Sequence, residues 1–66
     1  GIVSVRFIIE KDGSISNPKI AQGVDEYLDK EAMRVIMSMP KWKPGELEDG
    51  TKVAVYFTVP VMFRLQ

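Results

Sequence analysis

The 66-residue sequence predicts an α+β fold in the order β-β-α-β, and three observations carry that prediction. Apolar residues alternate with period two near both ends. An Asp-Gly pair, Asp12-Gly13, separates two strand-like runs. A single apolar stripe of helical period lies between the second run and the third.

The first strand is the clearest. Val3, Val5, Phe7 and Ile9 are apolar, while Ser4, Arg6, Ile8 and Glu10 alternate with them, so one face is built for burial. Asp12-Gly13 is a hairpin signal, because both residues tolerate positive φ. The second strand, residues 14–21, is weaker. Ile15 and Ile20 are its apolar anchors, and Pro18 cannot donate to a ladder, which argues for an edge or a bulge.

Gly23 ends that run, and "LDKEAMRVIMSM" reads as a helix. Asp29 is the expected N-cap, with Leu28 stapled on Met33. Ala32, Val35, Ile36 and Met39 fall on one helical face, and Lys30, Glu31, Arg34 and Ser38 take the other side. Pro40 stops the helix and pushes Met39 toward extended geometry. In the last strand Val53, Val55, Phe57, Val59, Val61, Phe63 and Leu65 alternate with Lys52, Ala54, Tyr56, Thr58, Pro60, Met62 and Arg64. A proline inside so strong a pattern belongs at an edge.

These pieces specify a three-stranded antiparallel/mixed sheet. The hairpin makes strands one and two antiparallel. Strand one has no proline and the cleanest alternation, so it takes the centre, giving the order 2-1-3 with the helix on one face. Strands two and three then run parallel to each other, joined by a right-handed helical crossover.

The connection "MPKWKPGELEDG" holds the only tryptophan. Two turns, at Pro40 and at Pro44-Gly45, hold Lys41-Trp42-Lys43 extended between them. Trp42 is placed to plug an open end of the core, with its indole N–H near water or a loop carbonyl. A ligand-facing role is the alternative. The flanking lysines keep the segment soluble.

Composition narrows the function. The length suits one domain, 1–66. Because it opens inside a strand pattern without an initiator Met, it reads as a piece of a longer protein. Formal net charge is zero, which leaves no electrostatic footprint for nucleic acid or an anionic membrane. Tyr56 alone does not make an RNA-stacking surface. No apolar run approaches a membrane span, and no signal peptide is visible. There is no His, no Cys and no Gly-rich phosphate loop, so catalysis is not expected, nor a metal or cofactor. Asp25, Glu26, Asp29 and Glu31 suit a helix start, Asp12 a turn, and Glu46, Glu48 and Asp49 a solvated loop.

"IVSVRFIIEKDGSISNPKI", "LDKEAMRVIMSMPKWKPG" and "KVAVYFTVPVMFRLQ" together resemble the C-terminal domain of the TonB family. The middle motif, with "LD-x-EA-x-R" and "P-x-W-x-PG", is the specific part. Asp12, Gly13, Asp29, Pro40, Trp42, Pro44, Gly45 and Pro60 carry the pattern.

The resemblance implies a periplasmic, non-enzymatic domain of a Gram-negative bacterium, its parent anchored in the inner membrane. Its partners would be the TonB box of outer-membrane transporters and, through a preceding region, a proton-driven inner-membrane motor complex. The box would add as a strand to the free edge of the last strand, over Val53, Ala54, Val55, Tyr56, Phe57, Thr58 and Val59, with Pro60 setting the far limit. Tyr56 and Thr58 would add outward side-chain contacts, whereas the odd-numbered valines and Phe57 read as core. A homodimer through the same edge stays open, as does a role as a recognition appendage of a sensor or peptidase-like envelope protein. The acidic "ELEDG" departs from the shorter, often basic stretch that is common there.

Overall fold

Burial follows the alternation of the first strand residue by residue. In a computed structural model describing residues 1–64, β1 (Ile2–Ile9) buries Val3, Val5, Phe7 and Ile9, and with Ala32 and Ile36 these form the buried core. β1 lies between β2 (Ile15–Gln22) and β5 (Val55–Met62) and is antiparallel to both, so the order β2-β1-β5 is the one expected. A helix, α1 (Glu26–Ser38), packs on β1 and β2, and the short strands β3 (Gly45–Glu46) and β4 (Lys52–Val53) pair in a separate hairpin.

β2 is irregular for a reason visible in its sequence. Ile15 and Ile20 are five residues apart and would face opposite sides of a regular strand. Its pairing with β1 shifts register twice, once between Arg6↔Lys19 and Ile8↔Ser16, where Asn17 adopts φ 50° and Pro18 follows. That bulge inserts the extra residue that returns both isoleucines to the core side, where both pack.

The hairpin between β1 and β2 corrects the expected turn. Only Gly13 takes positive φ, at 87°, and Asp12 does not. Gly13 N–H donates to Glu10 O at 2.9 Å and Glu10 N–H to Ser14 O at 2.8 Å, so the loop has three residues with a glycine bulge. Asp12 accepts from the Ser14 N–H at 2.9 Å and its hydroxyl at 2.6 Å.

The helix starts earlier than the sequence suggested. Asp25, not Asp29, is the N-cap: its carboxylate accepts from the Leu28 N–H at 2.8 Å. Asp29, one turn inside, reaches back to the Val24 N–H at 2.9 Å. Both carboxylates therefore satisfy N–H groups at the helix entrance, which a single-cap reading could not divide. Leu28 is helical rather than a staple preceding the cap.

The core stripe also rotates. Leu28, Ala32 and Ile36, with Met33, pack inward, whereas Val35 is half-buried outside the core cluster and Met39 is 42% exposed. Met39 caps the helix in extended geometry (φ −70°, ψ 147°), so it leaves the helical face it would otherwise share. Lys30–Glu26 and Arg34–Glu31 pair along the solvent side, where water screening leaves each little weight.

The expected single long strand is interrupted. Ala54 separates β4 from β5, and the "ELEDG" stretch is a hairpin rather than an open loop. Its turn repeats the first one. Leu47 N–H donates to Thr51 O and Gly50 N–H to Leu47 O, both at 2.9 Å, Gly50 has φ 88°, and Asp49 accepts from the Thr51 N–H. "EKDGS" and "LEDGT" thus share one spacing and one geometry. Gly45 is required by close approach, since a Cβ there would run into the Val53 and Val55 side chains. Leu65 lies outside the described residues.

Candidate functional edge strand

β5 pairs with β1 over eight consecutive residues without a register shift, from Ile9↔Val55 to Ile2↔Met62. Just beyond it, Phe63 N–H donates to Gly1 O at 2.8 Å, and the Gly1 amino group donates to Phe63 O at 2.9 Å. Gly1 and Phe63 are therefore a hydrogen-bonded pair. Antiparallel pairs alternate between bonded and non-bonded, so the odd residues Val55, Phe57, Val59 and Val61 spend their main-chain groups on β1.

The even residues Tyr56, Thr58, Pro60 and Met62 consequently point theirs the other way. Among the described residues no strand lies on that side. Pro60 sits in this outward row, which explains how a proline occupies a strong strand: its missing N–H costs the β1 ladder nothing.

The side chains of β5 divide between two faces. Val55, Val59 and Val61 are half-buried against the core. Phe57 corrects the expectation of a core residue, since it is 46% exposed. α1 packs most closely on β1 and β2, and on the inner face of β5 the Trp42 ring stands against Phe57. Phe57, Phe7 and Trp42 form an aromatic trio with centroids 5.1–6.1 Å apart and tilts of 57–68°, the inclined geometry that ring quadrupoles favour.

On the opposite face Tyr56 is 68% exposed, with the Arg6 guanidinium 4.7 Å from its ring centre. Arg6 stands opposite Thr58, diagonal to Tyr56, and on its other side faces Lys19 directly. The like-charge pair is unfavourable by itself, and the tyrosine face offsets it by drawing the guanidinium toward β5. Sequence reasoning passed over Arg6 because only the register brings it to Tyr56.

The other predicted positions fall elsewhere. Val53 lies in β4 opposite Gly45, and Ala54 is at the break, so the strand presents Val55–Val59 as one regular stretch. Asp12, Gly13 and Trp42 meet at one end of the sheet, where the Trp42 N–H donates to Gly13 O at 2.8 Å. The Trp42 indole packs on the core as a plug, and its buried Nε1 has no protein acceptor within reach among the described residues. Among the described residues no group of three or more His, Cys, Asp or Glu is placed to hold a metal ion, and no helix is long and apolar enough to cross a membrane.

The family model for the C-terminal domain of the Gram-negative bacterial TonB protein matches residues 1–65. The chain belongs to the TonB C-terminal domain family. Neither the curated proteins nor the solved structures give a significant match. In this TonB-family domain the "P-x-W-x-PG" motif is the segment that plugs the core beside Phe7 and Phe57 and ends at the close-packed Gly45.

Proposed function

We propose that this TonB-family domain captures an extended peptide by strand addition to the free edge of β5. The peptide is the TonB box of an outer-membrane transporter. One observation carries the reading: β5 is regular, is paired on one side only, and turns the main-chain groups of Tyr56 and Thr58 outward. Each of those residues offers one donor and one acceptor, and Pro60 offers an acceptor alone. At ~0.5–1.5 kcal/mol net per bond, main-chain pairing supplies only weak capture, and side-chain contacts must add to it. The exposed ring of Phe57 on one face and the Arg6–Tyr56 pair on the other supply such contacts. The docking window runs from Val55 to Val59, shorter at its start than the Val53–Val59 segment, because Val53 is already opposite Gly45.

In this reading the domain works in the periplasm, at the end of a parent protein anchored in the inner membrane. It transmits proton-driven motion from the motor complex to the transporter by pulling on the added strand. The test is an NMR amide titration of the folded domain with a synthetic TonB-box heptapeptide. Shifts concentrated at Tyr56 and Thr58, with the amides of Ile15 and Ile20 on β2 unmoved, support it. Saturating peptide that moves β2 but leaves β5 unchanged overturns it.

A further inference from the structure

We infer that Pro60 keeps the β5 edge from pairing with a second copy of this chain, leaving it open to a foreign strand. This rests on the register of β5 and stands whether or not the edge captures the peptide proposed above.

The sheet has two outer edges, and they are protected differently. β2 carries two register shifts, Asn17 at φ 50°, Pro18 and an exposed Lys19, so it cannot template a regular partner. β5 carries no register shift at all, and its outward row includes exposed Tyr56 and Met62. A regular edge with apolar side chains is a template for self-association. The only feature on it that opposes pairing is Pro60.

The geometry makes that feature selective. Two copies of β5 meeting about a two-fold axis pair antiparallel, outward residue against outward residue. The register that uses the strand most fully is centred on Thr58, opposite its own copy. Tyr56 of each copy then faces Pro60 of the other. Symmetry repeats the defect: two donors are missing, and two pyrrolidine rings stand where partner carbonyls must approach. Sliding the register toward Ala54 avoids Pro60 only by shortening the overlap to residues 54–58, across the irregular Ala54. A foreign strand meets the proline once and can end before it.

Sedimentation of the 66-residue chain beside Pro60→Val and Pro60→Thr, at one submillimolar concentration, tests this. The unsubstituted chain is expected at its 7.5 kDa monomer mass and the variants at twice that mass. Restoring two main-chain bonds lowers the dimer dissociation constant roughly tenfold or more. Adding Thr58→Pro to Pro60→Val should return the monomer, because it puts a new proline in the same outward row. Near-UV circular dichroism and Trp42 emission report the fold of each variant. The inference is overturned by an unsubstituted chain that is already dimeric, by folded variants that stay monomeric, or by a dimer that survives Thr58→Pro. Loss of the fold in both Pro60 variants overturns it too, since their new N–H lies outside the native ladder.

Discussion

Trp42 and Gly13 are tied backbone to backbone: the Trp42 N–H donates to the Gly13 carbonyl at 2.8 Å, and a Cβ on Gly13 would overlap the Trp42 carbonyl. Gly13 also holds φ 87°, so two independent constraints exclude a side chain there. This contact sets the Trp42 segment against the β1–β2 hairpin and so lets the indole reach Phe7 and Phe57.

Gly13→Ala should therefore destabilise by about 2 kcal/mol or more. Left-handed backbone costs a non-glycine residue ~1–2 kcal/mol, and displacing the Trp42 segment adds to it. Urea unfolding followed by Trp42 emission measures the loss. An unchanged midpoint would mean that the segment does not depend on this approach.

Trp42→Ala should cost about 3 kcal/mol, the low end for a large aromatic, because Trp42 is only partly buried. Trp42→Phe should cost much less. It deletes an N–H that has no protein acceptor among the described residues, so no protein–protein hydrogen bond is lost. Equal losses for the two variants in thermal melts would show that the indole nitrogen is partnered after all.

The two helix-entrance carboxylates should separate. Asp25→Ala removes the N-cap and should cost about 1 kcal/mol. Asp29→Ala frees the N–H of exposed Val24, which water can satisfy, and should cost less. Chemical denaturation of both variants ranks them, and the opposite ranking would return the cap to Asp29.

Proline scanning along β5 should show strict parity. Thr58→Pro removes an N–H that points away from β1 and should leave the fold intact while abolishing peptide capture. Phe57→Pro removes a ladder bond to β1, sets its ring against that strand, and should unfold the domain. Circular dichroism of the pair decides it. A folded Phe57→Pro beside an unfolded Thr58→Pro would reverse the assignment of the free edge.

Stability should be flat from neutral pH to about pH 5 and fall below that. The Ser14 hydroxyl and N–H hold the Asp12 carboxyl below its ordinary 3.8, and Thr51 does the same for Asp49. Hydrogen bonds from Arg34 and Lys52 lower Glu31 and Glu46 from 4.5. A carboxyl depressed in the folded state contributes stability above its unfolded value and loses it as pH falls through the folded one. With no histidine in the chain, no side chain of ordinary pKa titrates between pH 5 and 8. Urea midpoints at three pH values check the shape, and Asp12→Asn with Asp49→Asn should flatten the acid limb.

Much of this was legible in particular residues. Val3, Val5, Phe7 and Ile9 are the buried face of β1 because alternation puts them on one side of a strand whatever its neighbours do. Pro60 announced an edge, and Pro18 an edge or bulge, from missing donors alone. The second hairpin was equally written: "LEDGT" repeats the "EKDGS" spacing, and acidic composition hid it.

Local pattern and missing donors determined the order of elements, the central strand and the proline-marked edge, because those depend on chain-local chemistry. Only the tertiary structure decided how far α1 reaches across the sheet. It packs mainly on β2 and β1, and Phe57 stays half in water beside Trp42. It also decided which parity of β5 faces outward and which arginine reaches Tyr56. Those are properties of register, and register is set by packing between segments some fifty residues apart, which periodicity within one segment cannot encode.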